Sequence, residues 1–223
     1  MVFKGKSGDR VFVSWSGGKD AYLSLLKAVE EGLEAVCLLS FVGNDGYSRS
    51  HGLSLEILKK QAESLGLPLE TEAVTWEGYE AGFDRAVDRI KEKYSATGGV
   101  FGDINLPAHR QWVEKMCKRR GIDYNLPLWQ MEELQVVEEL INRGVKALII
   151  AIRRDLVEKQ WLGRFLDHSY LKYCLGNELS PCGENGEAHT LIVDGPLFKS
   201  PLSYKVGKVT NLDNHSLLEI IPI

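Results

Sequence analysis

The chain has 223 residues, enough for one large domain or a main domain with a smaller companion, and its 44% apolar and 26% charged residues suit a folded globular protein rather than a disordered one. Lys and Arg total 27 against 31 Asp and Glu, a net charge of −4, which argues against a broad basic face for nucleic acid. No apolar run nears the roughly 20 residues that span a bilayer, the opening MVFKGKSGDR lacks a secretory layout and implies a cytoplasmic location, and Cys37, Cys117, Cys174 and Cys182 show neither a C-x-x-C pair nor zinc-finger spacing.

In chain order, strands are expected near 10–15, 35–41, 69–74, 98–101, 122–126 and 146–152, with helical patterns between them. Four segments repeat one grammar of helix, glycine and apolar run: LLKAVEEGLEAVCLLSF, LKKQAESLGLPLETEAV, VEKMCKRRGIDYNLPLW and VEELINRGVKALIIAI. Glycine just past a helix end supplies the left-handed cap there. The runs Val36–Phe41 and Ala147–Ile152 are continuously apolar, which suggests strands covered on both faces. The alternation predicts an α/β fold with a parallel, doubly wound sheet. After Ile152 the pattern changes: RRDLVEKQWLGRFLDHSYLKYCLG reads as helix, HTLIVDGPLF as strand, and SYKVGKVTNLDNHSLLEIIPI as an antiparallel tail turning at N-L-D-N. The division is therefore drawn as 1–152, a nucleotide-binding domain, and 153–223, a smaller α+β part that binds substrate.

The first strand runs into SWSGGKD, and the helix after it begins at Ala21. Backbone N–H groups at the carboxyl end of a parallel strand and at a helix N-terminus favour an anion. Gly17 and Gly18 allow close approach, Ser14 and Ser16 add hydroxyls, and Lys19 adds a charge. Asp20 can cap the helix or hold magnesium. The spacing matches neither the Walker loop nor G-x-G-x-x-G.

SGGKD after a first strand resembles the pyrophosphate loop of the N-type ATP pyrophosphatases, whose usual pattern is S-G-G-x-D-S; here Ala21 stands at the last serine. Within that superfamily the chain resembles the diphthine–ammonia ligase family over nearly its whole length. The segments that carry this are SHGLSLEILKKQAESLGLPL, the LPLW around Trp129, WLGRFLD and CGENGEAHTLIVDGPLF. The resemblance implies the adenine nucleotide alpha hydrolase-like fold, ATP and Mg2+ as cofactors, and ammonia from solution as nitrogen donor. It also implies a carboxylate acceptor, diphthine on elongation factor 2, activated as an adenylate with release of pyrophosphate. The family places a histidine on the adenine side where His51 stands, a position that equally suits a residue opening the next helix.

GENGEAHT brings Glu184, Glu187 and His189 together beside Gly183 and Gly186 and ahead of Thr190. Carboxylates can bind an ammonium or a trimethylammonium head, and His189 can accept a proton near neutral pH. In FGDINLPAHR, Gly102, Asp103, His109 and Arg110 can meet magnesium or phosphate, or simply make a turn and a helix start. Trp129 and Trp161 can wall a substrate pocket or pack a core. Members acting on diphthine carry a serine-tyrosine-glutamine stretch where this chain has INLPAHR. They also have an aromatic-glutamate-threonine ending where it has Ala188-His189-Thr190. A different carboxylate or a tRNA base therefore stays open as acceptor, as does an adenine-nucleotide sensor resembling the universal stress proteins. A homodimer is left open.

Overall fold

Two sheets arise from this alternation. The computed structural model describes residues 7–223; the first six, with which the reading of the N-terminus as leaderless begins, lie outside the described residues. β1 (Arg10–Ser14), β2 (Glu34–Val42), β3 (Leu69–Ala73), β4 (Gly98–Val100) and β5 (Asp123–Asn125) form a parallel sheet in the order β3-β2-β1-β4-β5. The crossovers are α1 (Lys19–Glu30), α2 (Leu55–Leu65), α3 (Tyr79–Tyr94) and α4 (Pro107–Arg120). α1 and α2 pack on one face, α3 and α4 on the other, so the sheet is doubly wound as expected. Strand order reverses between β1 and β4, and the crevice outside their carboxyl ends is where such sheets take ligands. The glycines closing the four repeated segments, Gly32, Gly66, Gly121 and Gly144, all have positive φ.

One strand departs from its expected place. β6 (Lys146–Arg153) does not extend the parallel sheet but pairs antiparallel with β7 (Ala188–Asp194) and β9 (His215–Pro222). With β8 (Tyr204–Leu212) they form a second sheet in the order β7-β6-β9-β8. An apolar run reports burial on both faces and says nothing about the direction of its neighbours. The change of sheet falls between Asn125 and Lys146, ahead of the division drawn after residue 152. The hairpin of β8 and β9 turns at Asp213 and Asn214, within the expected N-L-D-N.

The long helix expected over 153–176 is also corrected. Only α6 (His168–Gly176) and a short 3-10 turn at Lys159–Trp161 are helical. Gly163 lies at φ 83°, and residues 163–166 run along β6: Ile149 N–H donates to the Arg164 carbonyl at 2.8 Å and Leu166 N–H to that of Ala147 at 2.8 Å. Asp167 then caps α6 by accepting from Tyr170 N–H at 2.9 Å.

α1 is buried almost all round, from Lys19 to Ala28, because the second sheet and α5 (Glu133–Asn142) cover the side that the first sheet leaves. Val13 and Leu23 share one apolar core with Ile149, Leu191 and Ile192 of the second sheet. The loop at the head of α1 is therefore held between the two sheets.

Candidate active site

At the carboxyl end of β1 the chain turns through Gly17 at φ 82°, a left-handed conformation that suits glycine. A Cβ there would sit 2.7 Å from Leu53 Cδ1 and 2.8 Å from Gln61 Oε1. At Gly18 it would sit 2.4 Å from the His51 ring and 3.2 Å from the Thr190 carbonyl oxygen. Gly102 is pressed onto the start of α1, its would-be Cβ 3.0 Å from Ala21 N. The glycines read as clearance for a ligand thus also let the loop fit its own protein. Ser16 Oγ accepts from Gly18 N–H at 3.2 Å, and Lys19 N–H donates to Thr190 Oγ1 at 3.2 Å.

Lys19 is only 5% exposed. Its ammonium donates to Asp20 Oδ2 at 2.8 Å and to the Cys182 carbonyl at 2.5 Å. Among the described residues these acceptors use two of its three N–H bonds, and the third is available to an anion. Burial works to lower its pKa, but the charge and hydrogen bond of Asp20, together with the nearby Cys182 and Glu184, outweigh that and hold it above the ordinary lysine value. Asp20 Oδ1 is buried without a hydrogen-bond partner.

Around this pair lies a cleft of about 380 Å³ at the sheet's C-terminal edge. Its loop side carries Ser14, Ser16, Lys19 and Asp20, facing His51, Gly102, Asp103 and His109. The GENGEAHT turn closes it with Gly183, Glu184, His189 and Thr190. Burial, and then the charge of Asp20, raises the Glu184 carboxyl. Burial likewise raises Asp103 against the opposing pull of His109, whose Nδ1 lies 3.0 Å from Asp103 Oδ1. His51 and His189 lie against each other with ring centroids 4.8 Å apart and planes tilted by 34°. Burial, followed by the charges of His189 and Lys19, holds His51 well below its usual value; burial and Lys19 take His189 to about 4. Both rings are neutral at pH 7, so they can exchange hydrogen bonds with a ligand without adding charge.

Six sequence-derived candidates are not among the residues that line this cleft: Gly17 and Gly18, which lie beneath its loop side, and Glu187, Arg110, Trp129 and Trp161. Glu187 is 2% exposed, and its carboxylate accepts from the backbone N–H groups of Ser180 and Asn185 and from the Asn185 amide, at 3.0, 2.9 and 3.0 Å. Burial opposes its ionisation, but these donors prevail and hold its pKa below the usual range. Glu187 shapes the turn that presents Glu184. Arg110 donates to Glu114 at 2.8 Å and lies over the Trp129 ring at 5.2 Å, so these two pack against each other. Trp161 is packed by Tyr170 and Tyr173 at 5.2 and 5.0 Å and covered by Arg164.

Other residues at the site escaped the sequence reading. Gln61, fully buried on α2, donates to the carbonyls of Gly17 and Ile192 at 3.0 and 2.7 Å and accepts from Trp15 Nε1 at 3.1 Å. It ties the loop to both sheets. The signal was a polar residue on the helical stripe of Ile57, Leu58, Ala62 and Leu65. The Cys182 carbonyl and the exposed Trp76 gave no such signal.

Fold and cleft together define the class, a parallel doubly wound α/β fold with an S-G-G-K-D loop at the sheet's C-terminal edge. Models of the diphthamide synthase N-terminal and C-terminal domains match residues 9–124 and 132–218, and the chain belongs to the diphthamide synthase family. It is similar to proteins named diphthine–ammonia ligase, and the family is one of ATP-dependent ligases. The Schizosaccharomyces pombe relative is 28% identical over 82% of this chain and 34% of its own, so the chain spans about a third of that protein. The Mus musculus relative is 28% identical over 86% of this chain and 82% of its own, and that of Bos taurus 27% over 96% and 88%. A partial likeness, TM-score 0.38 at 16% identity over 61% of this chain and 57% of the other, is to the U34-tRNA thiolase NcsA from Methanococcus maripaludis.

Proposed function

We propose that this chain condenses ammonia with the carboxylate of diphthine on elongation factor 2 at the cost of ATP, giving AMP and pyrophosphate. Family membership supports the acceptor. The observation that carries the activation step is the buried Lys19, set beside two glycines and with one N–H left for an anion. ATP is a co-substrate in this scheme. The loop amides and Lys19 grip its β and γ phosphates. A carboxylate oxygen of the acceptor forms a bond to the α phosphorus while the bond to the pyrophosphate oxygen breaks. Ammonia then adds to the acyl carbon, AMP leaves with the bonding electrons, and the nitrogen gives up a proton.

Glu184 supports the role of proton acceptor, because it borders the cleft and its raised pKa makes it a stronger base than an exposed glutamate. His51 and His189, both neutral, orient the acceptor or the base of the nucleotide. Asp20, Asp103 and Glu184 come from three parts of the cleft wall and act on one another electrostatically, a poor setting for a triphosphate without a counter-ion.

Magnesium fits these residues. The unpartnered Asp20 Oδ1 is a ready oxygen ligand. Among the described residues no group of three or more His, Cys, Asp or Glu could hold a metal alone. That suits an ion that takes one or two carboxylates and completes its shell with phosphate and water. When bound, the ion neutralises phosphate charge. A cytoplasmic location is retained from the sequence reading, and no described helix is long and apolar enough to cross a membrane.

The test is product analysis with diphthine-bearing elongation factor, ammonium chloride and ATP. Equimolar AMP, pyrophosphate and amide are expected, each dependent on the acceptor. ADP as product would contradict the scheme, and AMP without amide would move the acceptor to another carboxylate.

A further inference from the structure

Glu133, the first residue of α5, does not line the phosphate cleft, yet two of the cleft's walls meet on it. One wall is the segment after β4 that carries Gly102 and Asp103, and the other is the 180–187 turn that carries Glu184. From the first, Asn105 Nδ2 donates to Glu133 Oε1 at 3.3 Å. From the second, the Ser180 hydroxyl donates to Glu133 Oε2, and Cys182 Sγ donates to the Glu133 backbone carbonyl at 3.4 Å. The chain entering α5 adds a backbone link, Gln130 N–H to the Ile104 carbonyl at 2.7 Å.

These partners ask for a carboxylate. Both side chains that reach Glu133 present a hydrogen, and an ionised carboxylate accepts on both oxygens and donates on neither. The Ser180 hydroxyl must therefore give its hydrogen to Glu133, which leaves the lone pairs of Oγ to accept from Glu184 N–H at 2.9 Å. Orientation thus passes from Glu133 through Ser180 to the backbone of Glu184. A glutamate in a first helical turn also favours the helix dipole, but that role needs no partners on two separate loops.

We propose that Glu133 is a positioning residue: its carboxylate clasps the two walls at a fixed spacing and so aims Glu184 at the nitrogen that attacks the adenylate. The inference rests on the proposed function. There Glu184 takes a proton from that nitrogen as it bonds to the acyl carbon and AMP leaves with the bonding electrons. Adenylation comes first and draws on Lys19 and the loop amides, so the clasp bears on the ammonia step. The Cys182 contact beside Lys19 uses the Glu133 backbone and survives a side-chain substitution.

The test uses the whole chain with Glu133→Ala, Ser180→Ala and the two combined. Alanine is a good helix former, so α5 is kept. Glu132→Gln, at an exposed neighbour that makes no side-chain capping bond, is the control. ATP–pyrophosphate exchange with diphthine-bearing elongation factor and no ammonia reads adenylation, and amide formation over a range of ammonium chloride reads the second step. Glu133→Ala and Ser180→Ala should each lower kcat/KM for ammonium about 30-fold and leave the exchange rate within about threefold. The combined variant should be no worse than Glu133→Ala, because both changes cut one path. The charge of Glu133 also contributes, after burial and Asp20, to the raised Glu184 carboxyl, and Ser180→Ala retains that charge. A loss in Glu133→Ala with none in Ser180→Ala would make the effect electrostatic and overturn the clasp. Equal losses in both half-reactions would overturn it as well. Hydrogen exchange followed by mass spectrometry needs no substrate: Glu133→Ala should speed exchange about tenfold in peptides covering 102–106 and 180–187, and Ser180→Ala in the second alone. Unchanged exchange in Glu133→Ala overturns the clasp. Absence of amide from the wild-type protein counts against the proposed function, and hydrogen exchange then decides the clasp by itself.

Discussion

Gly18 has an ordinary extended backbone, φ −94° and ψ 179°, so its need for glycine comes from its neighbours. A methyl group there runs into the His51 ring, which His189 backs at 4.8 Å. Gly18→Ala should therefore displace the loop and lower kcat/KM for ATP about 100-fold while the fold persists; an unchanged value in steady-state assays would speak against the loop's role. The paired histidines make a second prediction. An imidazole whose folded pKa is depressed, to about 4 for His189, binds fewer protons than its unfolded counterpart between pH 4 and 6.5. Its stabilising effect is complete above 6.5 and is lost as pH falls toward 4. Thermal midpoints measured across that window should fall less steeply in His189→Gln than in the parent chain, and parallel curves would rule out the burial of a neutral ring. At this scale the sequence was legible where a residue's chemistry is local. Lys19, Asp20 and Glu184 are in the cleft because the loop and turn that bear them face it. Glu187, three residues on from Glu184, was indistinguishable by type; only the folded turn directs its oxygens back to Ser180 and Asn185.

Among the elements, α2 carries more of the site than its amphipathic pattern suggested. Gln61 joins a loop carbonyl, a strand of the second sheet and the indole of Trp15. Gln61→Leu would leave all three groups buried without that partner, at a cost of about 2–3 kcal/mol. Urea unfolding measures this directly, and a change below about 0.5 kcal/mol would mean that water replaces the amide. Three of the five parallel strands, β2, β3 and β5, were readable because helix, glycine and apolar run repeat along the chain. β6 obeys the same pattern and yet joins β7 and β9, since hydrophobicity encodes burial and not pairing. The segment 153–167 read as helix because its apolar spacing suits one; Gly163 and hydrogen bonding along β6 override it.

For the molecule as a whole, the phosphate cleft depends on both sheets. The first supplies the loop and the second supplies Thr190, Ile192 and His189 to enclose it, with one apolar core joining them. The family models cover both parts. The claim on which the rest stands is that the amides around Gly17 and Gly18, together with Lys19, hold the triphosphate. The most direct measurement is a crystal structure with α,β-methylene ATP and magnesium, an analogue that cannot be split between those phosphates. The β and γ phosphates are predicted within hydrogen-bonding distance of the Lys19 ammonium and the loop amides, with the metal on Asp20. A triphosphate bound elsewhere, with Lys19 still held only by Asp20 and the Cys182 carbonyl, would contradict the account.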